Sequence, residues 1–120
     1  MDISYVFAGL VVTDRDKAAA WYAGLLGRPA DILPNDAEAM WQLADRASLY
    51  LLAGPGRAGH GVLTLIVPDL DAELDRLAAS GITPSRIDEF EAGRKSVIED
   101  PDGNEIAIAQ LSQPGDTASG

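Results

Sequence analysis

The sequence predicts an α+β fold built from two tandem βαβββ modules, and two internal matches carry this prediction. Residues 10–16 (Leu-Val-Val-Thr-Asp-Arg-Asp) match residues 65–71 (Leu-Ile-Val-Pro-Asp-Leu-Asp), which follow 55 positions later. Residues 45–51 (Asp-Arg-Ala-Ser-Leu-Tyr-Leu) align with residues 102–108 (Asp-Gly-Asn-Glu-Ile-Ala-Ile) at a separation of 57 positions. Self-similarity at a nearly constant offset is the signature of a repeated structural unit. The chain is therefore expected to contain the same module twice.

Each module opens with a β-branched strand that ends at an acidic residue and leads into a helix. Asp14 and Asp69 are the expected helix N-caps, because a carboxylate there accepts free backbone N–H groups and meets the positive end of the helix dipole. Apolar residues then recur at helical spacing. Gly27 and Gly81 are the expected helix ends, since glycine readily adopts the left-handed conformation found there.

Three further strands are expected in each module. The two aligned segments above supply the last strand of each module, and the other strands are expected at residues 30–33, 39–43, 83–87 and 94–99. We interpret residues 1–111 as a single domain, with module one at 3–53, a linker at 54–59 and module two at 60–111. The linker (Gly-Pro-Gly-Arg-Ala-Gly) is expected to be too flexible for secondary structure. The small and polar residues 112–120 are expected to form a flexible tail.

The composition excludes several classes of site and partner. The 120 residues contain no cysteine and a single histidine, His60, which excludes thiol chemistry and any site with two imidazoles from one chain. Nine Lys and Arg against 19 Asp and Glu leave a net charge of −10, which repels nucleic acid and anionic lipid. No apolar run approaches the roughly 20 residues of a membrane span, and the first residues lack signal-peptide character. We therefore expect a cytoplasmic protein without nucleic-acid or membrane partners.

Three motifs make the chain resemble the vicinal oxygen chelate superfamily, which includes glyoxalase I, bleomycin-resistance proteins and extradiol dioxygenases. The motifs are the aromatic pair Trp21-Tyr22 before residues 25–27 (Leu-Leu-Gly), the second opening at residues 67–71 and the closing residues 100–104 (Asp-Pro-Asp-Gly-Asn). The resemblance covers about residues 3–110. It implies that the two modules form a cup-shaped, partly open mixed sheet and that the cup is completed in a homodimer.

The resemblance also implies where a metal would bind, since the superfamily takes its ligands from the first and last strand of each module. The four corresponding positions hold Phe7, Tyr50, Val62 and Ala107. Only tyrosine among these side chains offers a donor atom, and a phenol with a pKa near 10 is a poor ligand alone. A catalytic metal needs about three imidazole, carboxylate or thiolate ligands. We therefore expect neither a metal nor another cofactor in the cup.

One alternative is a metal ion bound two residues earlier along each strand, on the same face of the sheet. Side chains alternate along a strand, so the residues two positions before those four share their face: Tyr5, Ser48, His60 and Glu105. Such a site would have one imidazole and one carboxylate, which is too few for tight binding. Glu105 could instead pair with Lys95 on the neighbouring strand while His60 caps the strand entrance, or both could contact a ligand.

An apolar concave face is the expected binding site. Six residues are expected to line it, with the orientation of the first and last resting on the resemblance: Met40, Tyr50, Leu52, Val62, Thr64 and Val97. The expected core residues are Trp21, Trp41, Leu43, Leu49, Leu51, Ile106 and Ile108. Residues 88–93 are expected to form a loop beside the cup, with Phe90 in it and Arg94 next to it. An apolar, aromatic concavity is typical of a small-molecule site and equally of a dimer interface.

Two classes of function follow from these expectations. The leading hypothesis is a metal-independent binding protein of the bleomycin-resistance-like branch, which sequesters a partly apolar or cationic small molecule in the cup. Its candidate ligand-binding residues are Phe7, Met40, Tyr50, His60, Val62, Val97, Glu105 and Ala107. The alternative is a glyoxalase- or dioxygenase-type lyase or isomerase that acts on a small oxygenated substrate with a divalent metal. Acid–base catalysis by His60 with Glu105, and an interaction domain with a filled cup, are further alternatives.

Overall fold

A computed structural model of the chain describes residues 1–112, so all of the expected flexible tail after Ser112 lies outside the described residues. The elements are β1 (Val6–Val12), α1 (Arg15–Leu26), β2 (Ile32–Asn35), β3 (Glu38–Ala44), β4 (Ala47–Ala53), β5 (Val62–Ile66), α2 (Leu70–Ala79), β6 (Arg86–Phe90), β7 (Gly93–Glu99) and β8 (Glu105–Leu111). Each half of the chain is therefore a βαβββ module, as the repeat predicts.

Each module forms its own four-stranded mixed sheet. The strand orders are β1-β4-β3-β2 and β5-β8-β7-β6. The first and last strand of each module pair in parallel, with Leu10 beside Leu51 and Leu65 beside Ile108, and the remaining pairs are antiparallel. The two parallel pairs are related by the same offsets of 55 and 57 positions that the sequence contains. The doubled module and the α+β fold class are thereby confirmed.

The predicted helix ends are confirmed in both modules. The Asp14 carboxylate accepts the N–H of Lys17 at 3.0 Å, and the Asp69 carboxylate accepts the N–H of Ala72 at 3.1 Å. These bonds satisfy backbone donors that the first helical turn leaves free. Gly27 and Gly81 have φ angles of 83° and 80°, in the left-handed region that favours glycine.

The prediction of an unstructured linker is wrong, because residues Pro55–Arg57 form a 3₁₀ turn. Proline presets the backbone dihedral of the first position of such a turn. The N–H of Arg57 donates to the Gly54 carbonyl at 2.8 Å, and the N–H of Gly54 donates to the Val12 carbonyl at 2.9 Å. The second bond ties the turn to the end of β1, so the connection between the modules is anchored.

The prediction of a loop at residues 88–93 is also wrong. Asp88 pairs with Lys95 and Phe90 pairs with Gly93, so these residues belong to the β6–β7 hairpin. The expected second strands of the modules, 30–33 and 83–87, are found two to three residues later in the chain. Because β2 and β6 lie at the ends of their sheets and pair with one neighbour only, the tight hairpin turn that follows decides their bounds.

One hydrophobic core joins the two modules. It contains buried side chains of both helices and of the helix-facing sides of both sheets, with Tyr22 and Trp41 as its largest members. The Trp41 indole N–H donates to the Arg28 carbonyl at 2.9 Å, which satisfies its polar group. The predicted core positions that are fully buried are Trp41, Leu49, Leu51, Ile106 and Ile108, while Trp21 and Leu43 are partly buried against them.

Candidate functional site

Each sheet has one face that packs against the core and an opposite face, which we call the cup face. In β4 the buried Leu49 points to the core, so the next residue, Tyr50, points to the cup face. The strand register places Gly9 of β1 on one side of Tyr50 and Met40 of β3 on the other. The structure therefore brings two predicted site residues, Met40 and Tyr50, next to each other.

The Tyr50 side chain lies directly over the backbone of Gly9. A Cβ atom at position 9 would lie 2.6 Å from the Tyr50 hydroxyl oxygen and 2.9 Å from ring carbon Cε1. A side chain at position 9 would force the far end of the Tyr50 ring to move from this place. Gly9 therefore fixes where the aromatic ring of Tyr50 sits, and sequence analysis did not identify this glycine. The aligned position in the second module is Thr64, so the repeat itself gave no sign of it.

Two further aromatic side chains lie at the start of β1. Phe7 pairs in register with Ser48 and is 55% exposed, and its ring centroid is 4.9 Å from that of Tyr5. The Tyr5 and Ser48 hydroxyl groups are hydrogen-bonded to each other at 2.6 Å. These two hydroxyls are thus satisfied within the protein. Tyr50 lies two residues beyond Ser48 on the same face of β4, and we call the rings of Tyr5, Phe7 and Tyr50 the aromatic platform of module one.

The cup face of module two has an apolar floor. Ala107 of β8 lies between Thr64 of β5 and Val97 of β7 in the register. Val97 and Ala107 are 1% and 4% exposed, so their neighbours on this face cover them. Val62 is also on this face and is 71% exposed. Two predicted site residues therefore form a buried floor, and a third projects from it into solvent.

A charged cluster lies beside this floor, and it differs from the expected one. The Glu105 carboxylate is 3.6 Å from the Arg86 guanidinium, which donates to the Asp88 carboxylate at 3.0 Å. The expected pairing of Glu105 with Lys95 is wrong, because Glu105 lies opposite Glu99. Lys95 is four residues further along β7, about 13 Å away at 3.3 Å per residue. Sequence analysis missed Arg86, although its alternation with Asp88 along one strand was a usable signal.

His60 lies outside the hydrogen-bonded strands of the sheet. It comes two residues before β5 and is exposed. Along an extended chain it shares the side of Val62, whose register partner is Glu105. His60 therefore precedes the end of β5 that pairs with the Glu105 end of β8.

The residues of the cup faces do not fit a metal ion. The four positions of the superfamily's ligands hold Phe7, Tyr50, Val62 and Ala107, which include no imidazole or carboxylate. At the positions two residues earlier, the Tyr5 and Ser48 hydroxyls bind each other and Glu105 faces Arg86. Within residues 1–112, no three His, Asp or Glu side chains gather closely enough to hold a metal ion.

Two tandem βαβββ modules, each with a four-stranded mixed sheet, are the architecture of the glyoxalase-like class. The model of the family described as glyoxalase-like domain matches residues 6–109. The chain belongs to this family, which confirms the resemblance to the vicinal oxygen chelate superfamily. No curated protein sequence matches the chain significantly. Within the part of the chain that the structure describes, no helix is long and apolar enough to cross a membrane.

Several solved structures share the fold. A glyoxalase/bleomycin resistance protein from Catenulispora acidiphila DSM 44928 is 39% identical, with a TM-score of 0.85 and coverage of 90% of this chain and 98% of that chain. TnmS3, an antibiotic binding protein from Streptomyces sp. CB03234, is 28% identical, with a TM-score of 0.76 and coverage of 93% and 99%. A bleomycin-binding protein complexed with bleomycin is 25% identical, with a TM-score of 0.70 and coverage of 89% and 98%.

Proposed function

We propose that the chain is a metal-independent binding protein that sequesters a partly apolar or cationic small molecule in the cup of a homodimer. The observation that carries this proposal is the chemistry of the four ligand positions of the superfamily. Phenylalanine, tyrosine, valine and alanine stand there, on the cup faces of both sheets. Such side chains bind apolar surface through burial and stacking and leave a metal without ligands.

The aromatic platform is the proposed contact for a flat part of the ligand. Phe7 is exposed and Tyr50 is partly exposed, so both rings are accessible in the single chain. Met40 lies beside Tyr50 and supplies a flexible, polarizable side chain that adapts to irregular ligands. Val97 and Ala107 are buried, so their proposed role is to shape the floor of the site. Val62 is exposed enough to contact the ligand directly.

The charges of the cup faces support a cationic ligand. The strand residues on these faces include the carboxylates of Glu38, Asp88, Glu99 and Glu105 and the cationic groups of Arg86 and Lys95. This local excess of negative charge agrees in sign with the net charge of −10 of the whole chain. Fields of one sign raise the local concentration of oppositely charged ligands. Glu105 and His60 are the proposed partners of the polar groups of the ligand.

An antibiotic is the ligand class that the relatives suggest. TnmS3, at 28% identity, is an antibiotic binding protein, and the bleomycin-binding protein at 25% identity was solved with bleomycin. Bleomycin-type and other cationic aromatic antibiotics combine an apolar flat part with positive charge, which matches the aromatic platform and the carboxylates. Binding of such a compound would make the protein an antibiotic-resistance factor that acts by sequestration.

Dimerisation is proposed because the single chain leaves apolar strand residues in solvent. Phe7, Val62 and Ile66 are between 55% and 71% exposed, and they lie on β1 and β5. These strands are the outermost strands of their sheets, so each has an edge without a strand partner. Exposed apolar edges favour association with another chain.

Calorimetric titration of the purified protein with bleomycin and a panel of cationic aromatic antibiotics tests the proposal. We expect saturable binding of at least one compound by the protein as purified, with unchanged affinity after treatment with a chelator. Elemental analysis of the same untagged sample is expected to find no stoichiometric transition metal. Stoichiometric zinc, nickel, iron or manganese, or activity that the chelator abolishes, would instead favour the lyase or isomerase alternative. No heat change across the panel would exclude the antibiotic class.

A further inference from the structure

A buried polar cluster closes one end of the junction between the modules. The Tyr22 hydroxyl donates to the Asp100 carboxylate at 2.7 Å, and the Asn104 side-chain amide donates to the same carboxylate at 2.8 Å. The Asn104 amide also donates to the Val11 carbonyl at 2.9 Å, and its oxygen accepts the N–H of Gly61 at 2.7 Å. Asn104 therefore bridges the end of β1 and the start of β5.

The repeat identifies the residues that are equivalent to this polar cluster at the opposite end of the junction between the modules. Positions 55 residues apart on the first strand and helix, and positions 57 residues apart on the last two strands, are equivalent by sequence and by register. Tyr22 corresponds to Leu77, Asp100 to Leu43 and Asn104 to Ala47. The backbone partners Val11 and Gly61 correspond to Ile66 and Val6. Apolar side chains thus replace the three polar side chains of the cluster. In particular, alanine replaces the bridging asparagine.

A cavity of about 430 Å³ lies at this second end. Its wall includes four of the five equivalent residues, namely Val6, Leu43, Ala47 and Ile66. Further apolar side chains of both modules complete the wall: Ala8, Leu26, Leu63, Leu65 and Val67. The cavity exists where the alanine at position 47 is too short to span the two strands, whereas its counterpart Asn104 spans them.

We propose that this seam cavity is a second ligand site, which takes a neutral, apolar small molecule. Its volume lies within the roughly 300–1,000 Å³ typical of small-molecule sites. The site lies at the seam between the sheets and extends to their core side, where Ala8, Leu63 and Leu65 point, while Ser48, Thr64 and Ile66 of its wall lie on the cup-face side. A charged ligand would lose hydration there without gaining a partner.

Three polar side chains, Arg28, Ser48 and Thr64, lie at the wall of the seam cavity, and the first two are engaged already. The Arg28 guanidinium binds the Asp31 carboxylate and the Gln42 carbonyl, and the Ser48 hydroxyl binds that of Tyr5. These groups therefore offer little to an anionic or cationic guest. Compact aromatic or alicyclic molecules without charge are the class that the wall accepts.

Fluorescence titration with N-phenyl-1-naphthylamine, a neutral probe that brightens when it leaves water, tests the proposal. We expect saturable binding near one probe per chain. Ala47→Phe, which adds an aromatic ring at the wall of the seam cavity, is expected to weaken binding at least tenfold. Ala79→Phe, at an exposed position of α2, is the matched control and is expected to leave the affinity unchanged. Ala44→Phe, at the exposed rim of the cavity, repeats the test should Ala47→Phe not fold.

Val62→Asp separates the seam cavity from the cup face, since Val62 is 71% exposed and lies outside the cavity wall. We expect this variant to bind the probe as the unmodified protein does. Loss of binding in Val62→Asp together with retained binding in Ala47→Phe and Ala44→Phe would place the probe on the cup face and overturn the proposal. Absence of any saturable binding would overturn it as well.

Discussion

The Tyr22 hydroxyl donates a 2.7 Å hydrogen bond to the Asp100 carboxylate across 78 positions of sequence. Tyr22 lies on α1 of the first module, and Asp100 follows β7 of the second. Tyr22 is fully buried and Asp100 is 5% exposed. This contact joins the two modules through a polar group inside the shared core, where an unsatisfied partner would cost free energy.

Tyr22→Phe should lower the free energy of unfolding by about 1–3 kcal/mol at pH 7, because the buried Asp100 carboxylate loses a donor. Burial, and next the hydrogen bond to Asp100, raise the pKa of Tyr22 far above its usual value near 10. Above pH 10 the unfolded chain therefore releases a proton that the folded chain keeps. Stability that is present below pH 10 should fall by about 1.4 kcal/mol per pH unit above it.

Urea unfolding of the protein and of Tyr22→Phe between pH 7 and pH 11 measures this effect. The difference in stability between them should shrink as the pH rises above 10, since the variant lacks the titrating group. A constant difference across this range would contradict the buried, neutral Tyr22 of the structure.

Asn104→Ala should be among the more destabilising single substitutions, with a loss of about 3 kcal/mol, because it breaks the bridge between β1 and β5. Three hydrogen bonds of a fully buried side chain are removed, and the Gly61 N–H and Val11 carbonyl lose their partner. Asn35→Ala, at the exposed end of β2, is the matched control, with an expected effect below about 1 kcal/mol. Denaturant midpoints of the two variants give the comparison; equal losses would argue against a stabilising bridge.

Gly9→Ala should destabilise the protein by about 1–3 kcal/mol, because the new methyl group collides with the Tyr50 ring. The same substitution in a Tyr50→Ala background should cost much less, since the colliding ring is gone. Thermal or urea unfolding of the two single variants and the double variant completes the cycle. An additive result would mean that the Tyr50 ring does not lie over Gly9.

Tyr50→Ala should weaken binding of an aromatic cationic ligand about 2- to 10-fold, which corresponds to the roughly 0.5–1.5 kcal/mol of a stacking contact. Ile87→Ala is the control, because Ile87 is 49% exposed on the opposite face of β6. Calorimetry with the compound that the proposed panel identifies measures both affinities. Equal affinities of the two variants would remove Tyr50 from the ligand site.

Ile66→Glu should shift the proposed homodimer toward monomer, because it places a charge on the exposed apolar face of β5. Ile66 is 57% exposed in the single chain. Ile87→Glu introduces the same charge at a similarly exposed position of β6 and should leave the association unchanged. Sedimentation velocity at micromolar concentrations distinguishes the two results. A monomeric unmodified protein would contradict the homodimer itself.

Local pattern was sufficient to predict the repeated module and most of its helices and strands. The caps at Asp14 and Asp69, and the alternation that buries Leu49 and exposes Tyr50, depend on residues a few positions apart. The bounds of β2 and β6 were misjudged because edge strands have few neighbours to constrain them. Residues 54–59 were misjudged because glycine content does not reveal the bond that anchors Gly54 to Val12.

The sequence by itself determined that this chain is a doubled βαβββ protein, and its resemblance to the superfamily implied that Phe7, Tyr50, Val62 and Ala107 occupy the four ligand positions. Only the tertiary structure decided that Arg86, rather than Lys95, faces Glu105, and that Asn104 spans one end of the junction while Ala47 leaves a cavity at the other. The physical reason is the distance along the sequence between the residues that interact. Caps and strand alternation arise between near neighbours in the chain, whereas these contacts depend on how complete sheets and helices pack together.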